Sequence, residues 1–343
     1  MLPVIVENVP LAPLTTLGLG GAARFFAEIA FAAEMTPALT WAKDKKLPVF
    51  TLGGGSNVVV ADEGFAGLVL RLRTRGRRWC DDSGETRVEV EAGEAWDDVV
   101  AEAVAREAAG IECLSGIPGS TGAAPVQNIG AYGQEIASAI RRVRVLDRQC
   151  LDTHELDAGA CGFGYRDSIF KREPERFAIL SVTLALAKNG PPLVRYAELD
   201  AALAGRPGLA NVREAVLALR RKKSMVLDEA DPNRRSAGSF FTNPVVTAAA
   251  AGGLPEDMPR FPLPDGRVKL AAGWLIEHAG LAKGFRMGPV GISSRHALAL
   301  VHHGGGTTKD LLRLALHVRT SVFERFGISL VPEPVFLGLT WPV

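Results

Sequence analysis

Residues 116–133 read GIPGSTGAAPVQNIGAYG, with five glycines and two prolines in eighteen positions and almost no charge. Glycine and proline at this density exclude a regular helix or a central strand. A disordered linker is excluded as well, because linkers of that kind are rich in charged and polar groups. The segment looks like a backbone surface moulded against something flat and phosphorylated. Ser120, Thr121, Gln127 and Asn128 are the side chains in it that offer donors to phosphates or to a ring edge.

A second segment of the same kind, Gly53-Gly54-Gly55-Ser56-Asn57, lies between two apolar runs, residues 48–52 and 58–60. Both runs read as strands, and the N–H groups of such a turn converge readily on phosphate oxygens. No G-x-G-x-x-G spacing follows, and Val58-Val59-Val60 favours strand over helix, so a dinucleotide-binding helix does not fit. The plainer alternative is a glycine-rich hairpin.

A third segment, Ala237-Gly238-Ser239-Phe240-Phe241-Thr242-Asn243-Pro244, sets a serine in a small-residue turn before two aromatics. Asn243 is held out of the helical region by Pro244, so Ser239 is expected on a loop. An ordinary buried turn is the alternative.

A chain of 343 residues with 47% hydrophobic content supports two or three packed units. A net charge of +1 gives no general attraction to nucleic acid or anionic membranes. No apolar run reaches the ~18 residues needed to span a bilayer. The N-terminal residues lack a basic region and a cleavage pattern, so secretion is not expected. Cys80, Cys113, Cys150 and Cys161 are scattered without C-x-x-C spacing. That favours a reducing compartment over disulfides or a zinc site, and a cytoplasmic location. Arg71, Arg73, Arg75 and Arg77 alternate, but Asp81, Asp82 and Glu85 nearby favour a solvated strand and loop over a nucleic-acid surface. His302-His303 lacks further ligands at metal spacing and reads as a loop entering a helix.

Helices are expected from Thr36 as cap with Pro37 first, to about Lys46; over 94–106, with Gly110 as stop; over 213–223; over 270–278, ended by Gly280; and over 309–326, with Thr308 as cap and Gly327 as stop. Strands are expected at 143–146 and 179–184. The polar stretch 228–235 reads as a domain boundary. Periodicity alone reaches mixed α and β in two or more units.

The three segments, in order, resemble the UDP-N-acetylenolpyruvoylglucosamine reductase family of peptidoglycan synthesis. So do GYRDSIFK (164–171), AAGWLI (271–276) and VPEPVF (331–336). The resemblance runs from about Leu14 to Gly338. It implies an α+β fold: a two-subdomain FAD-binding half of the vanillyl-alcohol-oxidase type, not Rossmann, and a smaller α+β substrate-binding domain. The implied limits are 1–70 completed by the tail 328–343, then 71–224, then 225–327.

By the same resemblance the chain takes FAD and NADPH and reduces the enolpyruvyl ether of UDP-N-acetylglucosamine to UDP-N-acetylmuramate. Arg166 would meet charge developing on the substrate carboxylate, since a guanidinium stays charged and forks across two oxygens. Glu333, between Pro332 and Pro334, would share a proton with that carboxylate if its pKa is raised by burial. Ser239 would protonate the enolate. A serine nucleophile is less attractive, as no histidine lies within a few residues of it.

The implied FAD contacts are Gly53, Gly54, Gly55, Ser56, Asn57, Pro118, Gly119, Ser120, Gly122, Ala123, Gln127, Asn128, Gly130, Ala131 and Gly133. Tyr165, Tyr196, Lys223, Asn243 and His296 would contact the substrate, Lys222 being the alternative to Lys223. Tyr196 would mark the family branch with a tyrosine loop. No metal, nucleic acid or membrane partner is expected, and the protein is expected to be a monomer. The alternatives are another FAD oxidoreductase of the same flavin-binding architecture, such as an alcohol or sugar oxidase, and a non-catalytic flavin or UDP-sugar binding module.

Overall fold

A computed structural model describes residues 1–206 and 208–342. The chain divides into two compact units. The first comprises Met1–Val9, Ala23–Gly55 and Ala66–Leu227; the second comprises Pro10–Ala22, Ser56–Phe65 and Asp228–Val343.

The first unit carries two larger sheets. One has the order Val6–Pro10, Ala22–Ile29, Phe65–Leu72, Val49–Leu52, with the last pair parallel. The other is antiparallel, in the order Thr153–Asp157, Ile140–Asp147, Phe177–Lys188, Glu85–Glu91, Arg77–Asp82, with Ala108–Ala109 added beside Phe177–Lys188. Its strands alternate as a half-buried sheet should: Val143 and Val145 are fully buried while Arg142 is exposed and Arg144 half-buried. The Trp96–Ala105 helix buries Trp96, Val99, Val100 and Ala103, the i, i+3, i+4, i+7 stripe, into the same core as Val88, Val90, Val182 and Leu184. Each fully buried valine contributes about 1.5–3 kcal/mol relative to exposure.

The second unit has two three-stranded sheets, ordered Val245–Val246, Val268–Leu270, Arg260–Pro262 and Arg286–Met287, Val290–Ile292, Leu300–His302. Its core gathers Leu270, Leu275, Ile276, Val290 and Leu300 with Leu311, Leu314, Ala315, Val318 and Val322 of the Thr308–Phe326 helix. That helix starts firmly. Thr307 and Asp310 form a reciprocal capping box, and Asp62 accepts from the N–H groups of Thr308 (2.7 Å) and Lys309 (3.0 Å). Its cap is therefore Thr307, one residue before the expected Thr308. Gly327, at φ 68°, ends it as expected.

Four further expectations are corrected. The first helix begins at Met35, because the Glu34 carboxylate gathers the N–H groups of Ala30 and Phe31 just ahead of it; Thr36 is already helical. The helix expected from Arg213 begins at Leu209, and the one expected from Leu270 begins at Ala272 after a strand. The glycine turn at 53–57 is not a hairpin. Val49–Leu52 pairs with Phe65–Leu72, whereas Val58–Val60 pairs in parallel with Val335–Leu337, so the turn links two separate sheets. The 228–235 stretch begins where the chain passes from the first unit into the second.

Candidate active site

In the first unit the two glycine-rich segments lie against each other. A Cβ on Gly54 would fall 2.7 Å from Cα of Gly119, and one on Gly53 would fall 2.3 Å from Oγ of Ser120. Only glycine permits this backbone-to-backbone approach. The 116–124 loop is tied down by Trp96 N–H donating to Gly119 O (3.0 Å) and Thr121 N–H donating to Glu94 O (2.8 Å). Asp97 holds it from the side, accepting from Gly116 N–H (2.6 Å) and from both ends of the Arg213 guanidinium (2.7 and 2.8 Å). Burial acts to raise the Asp97 pKa, but the bonds from Arg213 and Gly116 prevail and hold it below the usual carboxylate range.

The polar side chains of this surface divide sharply. Ser120 is 6% exposed and its hydroxyl has no hydrogen-bond partner among the described residues; the hydroxyl of Thr51, on the strand leading into the glycine turn, is likewise buried and unpartnered among them. Such groups are costly unless something bonds them. The fit to a bound FAD rests on this pair of orphaned hydroxyls beside a cradle that a Cβ would fill. Thr121 and Asn128 behave differently. Thr121 donates to Glu94 O. Asn128, 1% exposed, donates to Glu135 (2.9 Å) and Gly164 O (2.9 Å) and accepts from Ala137 N–H (3.1 Å). The expectation that they donate to the cofactor is therefore corrected for both side chains: their donors are spent inside the protein. Pro118, Gly122 and Ala123 lie on the anchored loop, and Gln127, half-buried, follows it.

Asn128 instead builds the Arg166 site. Gly164 and Asp167 bridge across a tight turn in which Arg166 takes φ 54°, the left-handed region, at the third position. The Arg166 guanidinium donates to Gly130 O (2.7 Å) and Asn128 O (3.2 Å) and lies 5.5 Å from the Tyr165 ring. Lys171 Nζ donates to the Arg166 carbonyl at 2.9 Å. Gly130-Ala131 pairs with Gln134-Glu135 around Tyr132 and Gly133, both with positive φ, a type I′ hairpin.

The first unit also assembles Tyr196 with Lys223. Tyr196 is exposed and meets Tyr132 edge to face at 6.1 Å. Lys223 Nζ lies 5.9 Å over the Tyr132 ring and 2.7 Å from Glu198. Lys223 is half-buried and Lys222 exposed, which favours Lys223 as the built position. Burial pushes Tyr132 up to about 12.

Sequence reasoning missed Arg220. It is 9% exposed, its Nε has no partner among the described residues, and Nη2 donates to Met225 O at 2.7 Å. Burial lowers it to about 10. A signal was readable: Arg213 and Arg220 are seven residues apart, two turns, on a helix face otherwise carrying Val212, Val216 and Leu219.

In the second unit Gly238, at φ 71°, turns the chain so that Ser239 is half-buried while Phe240 and Phe241, each 1% exposed, enter the core. The two rings pack with each other (5.1 Å) and with Trp341 (6.2 and 6.4 Å). Neighbouring segments hold the loop on two sides: Phe240 N–H donates to Leu298 O (2.7 Å), and Phe240 O accepts from Glu333 N–H (2.8 Å). Ser239 and Glu333 thus sit on adjacent, hydrogen-bonded segments. Asn57 donates to Glu333 O (3.4 Å) and accepts from Val335 N–H (3.0 Å), while Ser56 precedes it in this unit. Asn243 uses its side-chain oxygen to accept from Ala272 N–H (3.0 Å) at the start of the Ala272–His278 helix.

His296 Nε2 lies 3.3 Å from Ser239 Oγ. No histidine lies within a few residues of Ser239 in the sequence; the one that meets it in space comes from 57 residues downstream. His302 plays a structural part. Nδ1 meets Leu17 O (3.2 Å) and Nε2 accepts from Gly306 N–H (3.1 Å), with burial lowering its pKa.

Among the described residues no helix is long and apolar enough to cross a membrane. The family model for an FAD binding domain matches residues 24–149. That for the C-terminal domain of UDP-N-acetylenolpyruvoylglucosamine reductase matches residues 231–337. The chain is 48% identical to the UDP-N-acetylenolpyruvoylglucosamine reductase of Thermobifida fusca over 97% of this chain and 98% of that protein. It is 45% identical to that of Streptomyces avermitilis over 97% and 95%. The crystal structure of the reductase from Thermus caldophilus superposes with a TM-score of 0.66 at 27% identity, covering 97% of this chain and 98% of that one. The fold is the expected α+β arrangement of an FAD-binding part and a C-terminal domain. This chain belongs to the UDP-N-acetylenolpyruvoylglucosamine reductase family.

Proposed function

We propose that the chain reduces UDP-N-acetylglucosamine enolpyruvate to UDP-N-acetylmuramate, a peptidoglycan precursor, with FAD as cofactor and NADPH as reductant. Bound FAD would supply the two-electron hydride chemistry between NADPH and the enolpyruvyl double bond. Ser120 and Thr51, with the glycine cradle, would hold it.

The remaining work falls to side chains. Arg166 meets negative charge growing on the substrate carboxylate; its turn and its bonds to Gly130 and Asn128 set its direction before substrate arrives. Glu333 holds the carboxylate from the segment beside Ser239. Ser239 gives its proton to the carbon next to the carboxylate, a transfer that asks for a strongly basic carbon and little water. Tyr165, Tyr196, Lys223, Asn243 and His296 bind the sugar nucleotide, with Lys223 as a point charge for the diphosphate. Tyr196, exposed above Tyr132 and Lys223, supports assignment to the tyrosine-loop branch.

In this reading 1–70 with 328–343, then 71–224, form the FAD-binding part and 225–327 the substrate domain. The enzyme works as a cytoplasmic monomer without nucleic-acid or membrane partners. The observation that carries the assignment is the placement of Ser239: a half-buried hydroxyl on a loop pinned to the segment that bears Glu333. The experiment is rapid-mixing kinetics of Ser239→Ala. Flavin reduction by NADPH stays near the parent rate and reoxidation by the enolpyruvyl substrate collapses; parent-like reoxidation would remove Ser239 from the reaction.

A further inference from the structure

We propose that His296 is a positioning residue for Ser239, donating from Nε2–H to Oγ and so directing the serine's own hydrogen at the substrate. This rests on the proton-donor reading of Ser239. A serine hydroxyl has one hydrogen and two acceptor sites. At 3.3 Å one of two things holds: Oγ donates to Nε2, or Nε2 donates to Oγ. In the first case the only proton Ser239 has points at His296 and none points at carbon. Proton donation to carbon therefore requires the second.

The histidine is built to hold its place. Asn233 clamps Ser294, accepting from its N–H (3.1 Å) and donating to its Oγ (3.1 Å), and Arg295 lies 3.8 Å from Asp231. His296 O accepts from Ala299 N–H (3.1 Å), which closes the loop, and Ser293 N–H donates to Ala299 O (2.8 Å) across its base. The adjoining Leu298 O accepts from Phe240 N–H (2.7 Å), so the loops of His296 and Ser239 are pinned together one or two residues from the pair itself.

The bond has a second consequence. When Oγ–H breaks, the new C–H bond takes the proton and the carbon's electron pair. Oγ keeps the O–H pair as a negative charge, and a solvent proton later restores the hydroxyl. Nε2–H is aimed at the oxygen on which that charge appears, where a preoriented donor is most effective. His296 needs no net proton transfer, so any side chain that places an N–H at the same point should serve.

The test uses FAD-loaded enzyme in stopped flow. The variants are His296→Phe, His296→Asn and His296→Gln, each also made in Ser239→Ala. Reoxidation at saturating enolpyruvyl substrate should slow about 10- to 100-fold in His296→Phe, and likewise in His296→Asn, whose amide is too short. His296→Gln should come within about threefold of the parent, because its Nε2 reaches the same point. In the Ser239→Ala background the three should add no further loss. Flavin absorbance and NADPH reduction report folding in every variant. The proposal is overturned if His296→Phe only raises the half-saturating substrate concentration, if Gln is as slow as Phe, or if the losses add to that of Ser239→Ala. Parent enzyme that binds flavin but is not reoxidised by the enol ether would instead sink the functional reading.

Discussion

Arg166 Nη2 donates to the carbonyl of Gly130 at 2.7 Å, across 36 residues of chain. The contact exists because Gly130 lacks a side chain: a Cβ there would stand 3.1 Å from Arg166 Nη1 and 2.9 Å from Gln134 O. The guanidinium expected to face the substrate carboxylate is thus aimed by a hairpin in the glycine-rich segment.

Gly130→Ala should lose turnover. The added methyl must displace either the hairpin or Arg166, and a misplacement near 1 Å costs on the order of 100-fold. Steady-state kcat with a flavin absorbance spectrum checks this. Arg166→Lys should fail to restore activity, because an ammonium cannot reproduce the planar fork.

Ser120→Ala should separate cofactor binding from folding. The buried hydroxyl bonds nothing among the described residues. Its removal should leave the apoprotein as stable as the parent or up to about 1 kcal/mol more stable, while FAD affinity falls roughly 10-fold. Urea melts of apoprotein and FAD titration read the two effects independently. Thr121→Val should do the reverse, destabilising the fold through the lost bond to Glu94.

Asp97→Asn should destabilise the protein by about 1–2 kcal/mol at pH 7, the low end for charged bonds since the carboxylate is over one-third exposed. The pH dependence has a definite sign. The folded pKa lies below the unfolded one, so the stabilisation is present above about pH 4 and is lost as pH falls through the folded value. Urea midpoints between pH 7 and 3 should therefore fall less steeply in the variant. Equal slopes would remove Asp97 from the acid response.

Much of this was legible in the sequence, and the failures have physical causes. The apolar stripe of Trp96–Ala105 and the glycine after Phe326 declared their helices because local periodicity and a left-handed stop need no tertiary information. Strand pairing does need it: nothing local reveals that Val58–Val60 joins Val335–Leu337 some 270 residues away, so the glycine turn passed for a hairpin. Side-chain allegiance is equally long-range. Ser120 and Asn128 look alike as donors in a list of residues, and only the folded chain shows that one hydroxyl is unbonded among the described residues while the other side chain latches the Arg166 turn. His296 and Ser239 meet through two loops tied at Leu298 and Phe240, a contact with no trace in spacing.

The most direct test of the account is an anaerobic titration of the purified protein. NADPH should bleach the flavin absorbance near 450 nm, as flavin redox chemistry requires, and UDP-N-acetylglucosamine enolpyruvate should restore it stoichiometrically without oxygen. Protein that takes up no FAD, or reduced flavin that the enol ether leaves bleached while oxygen reoxidises it, would contradict the account.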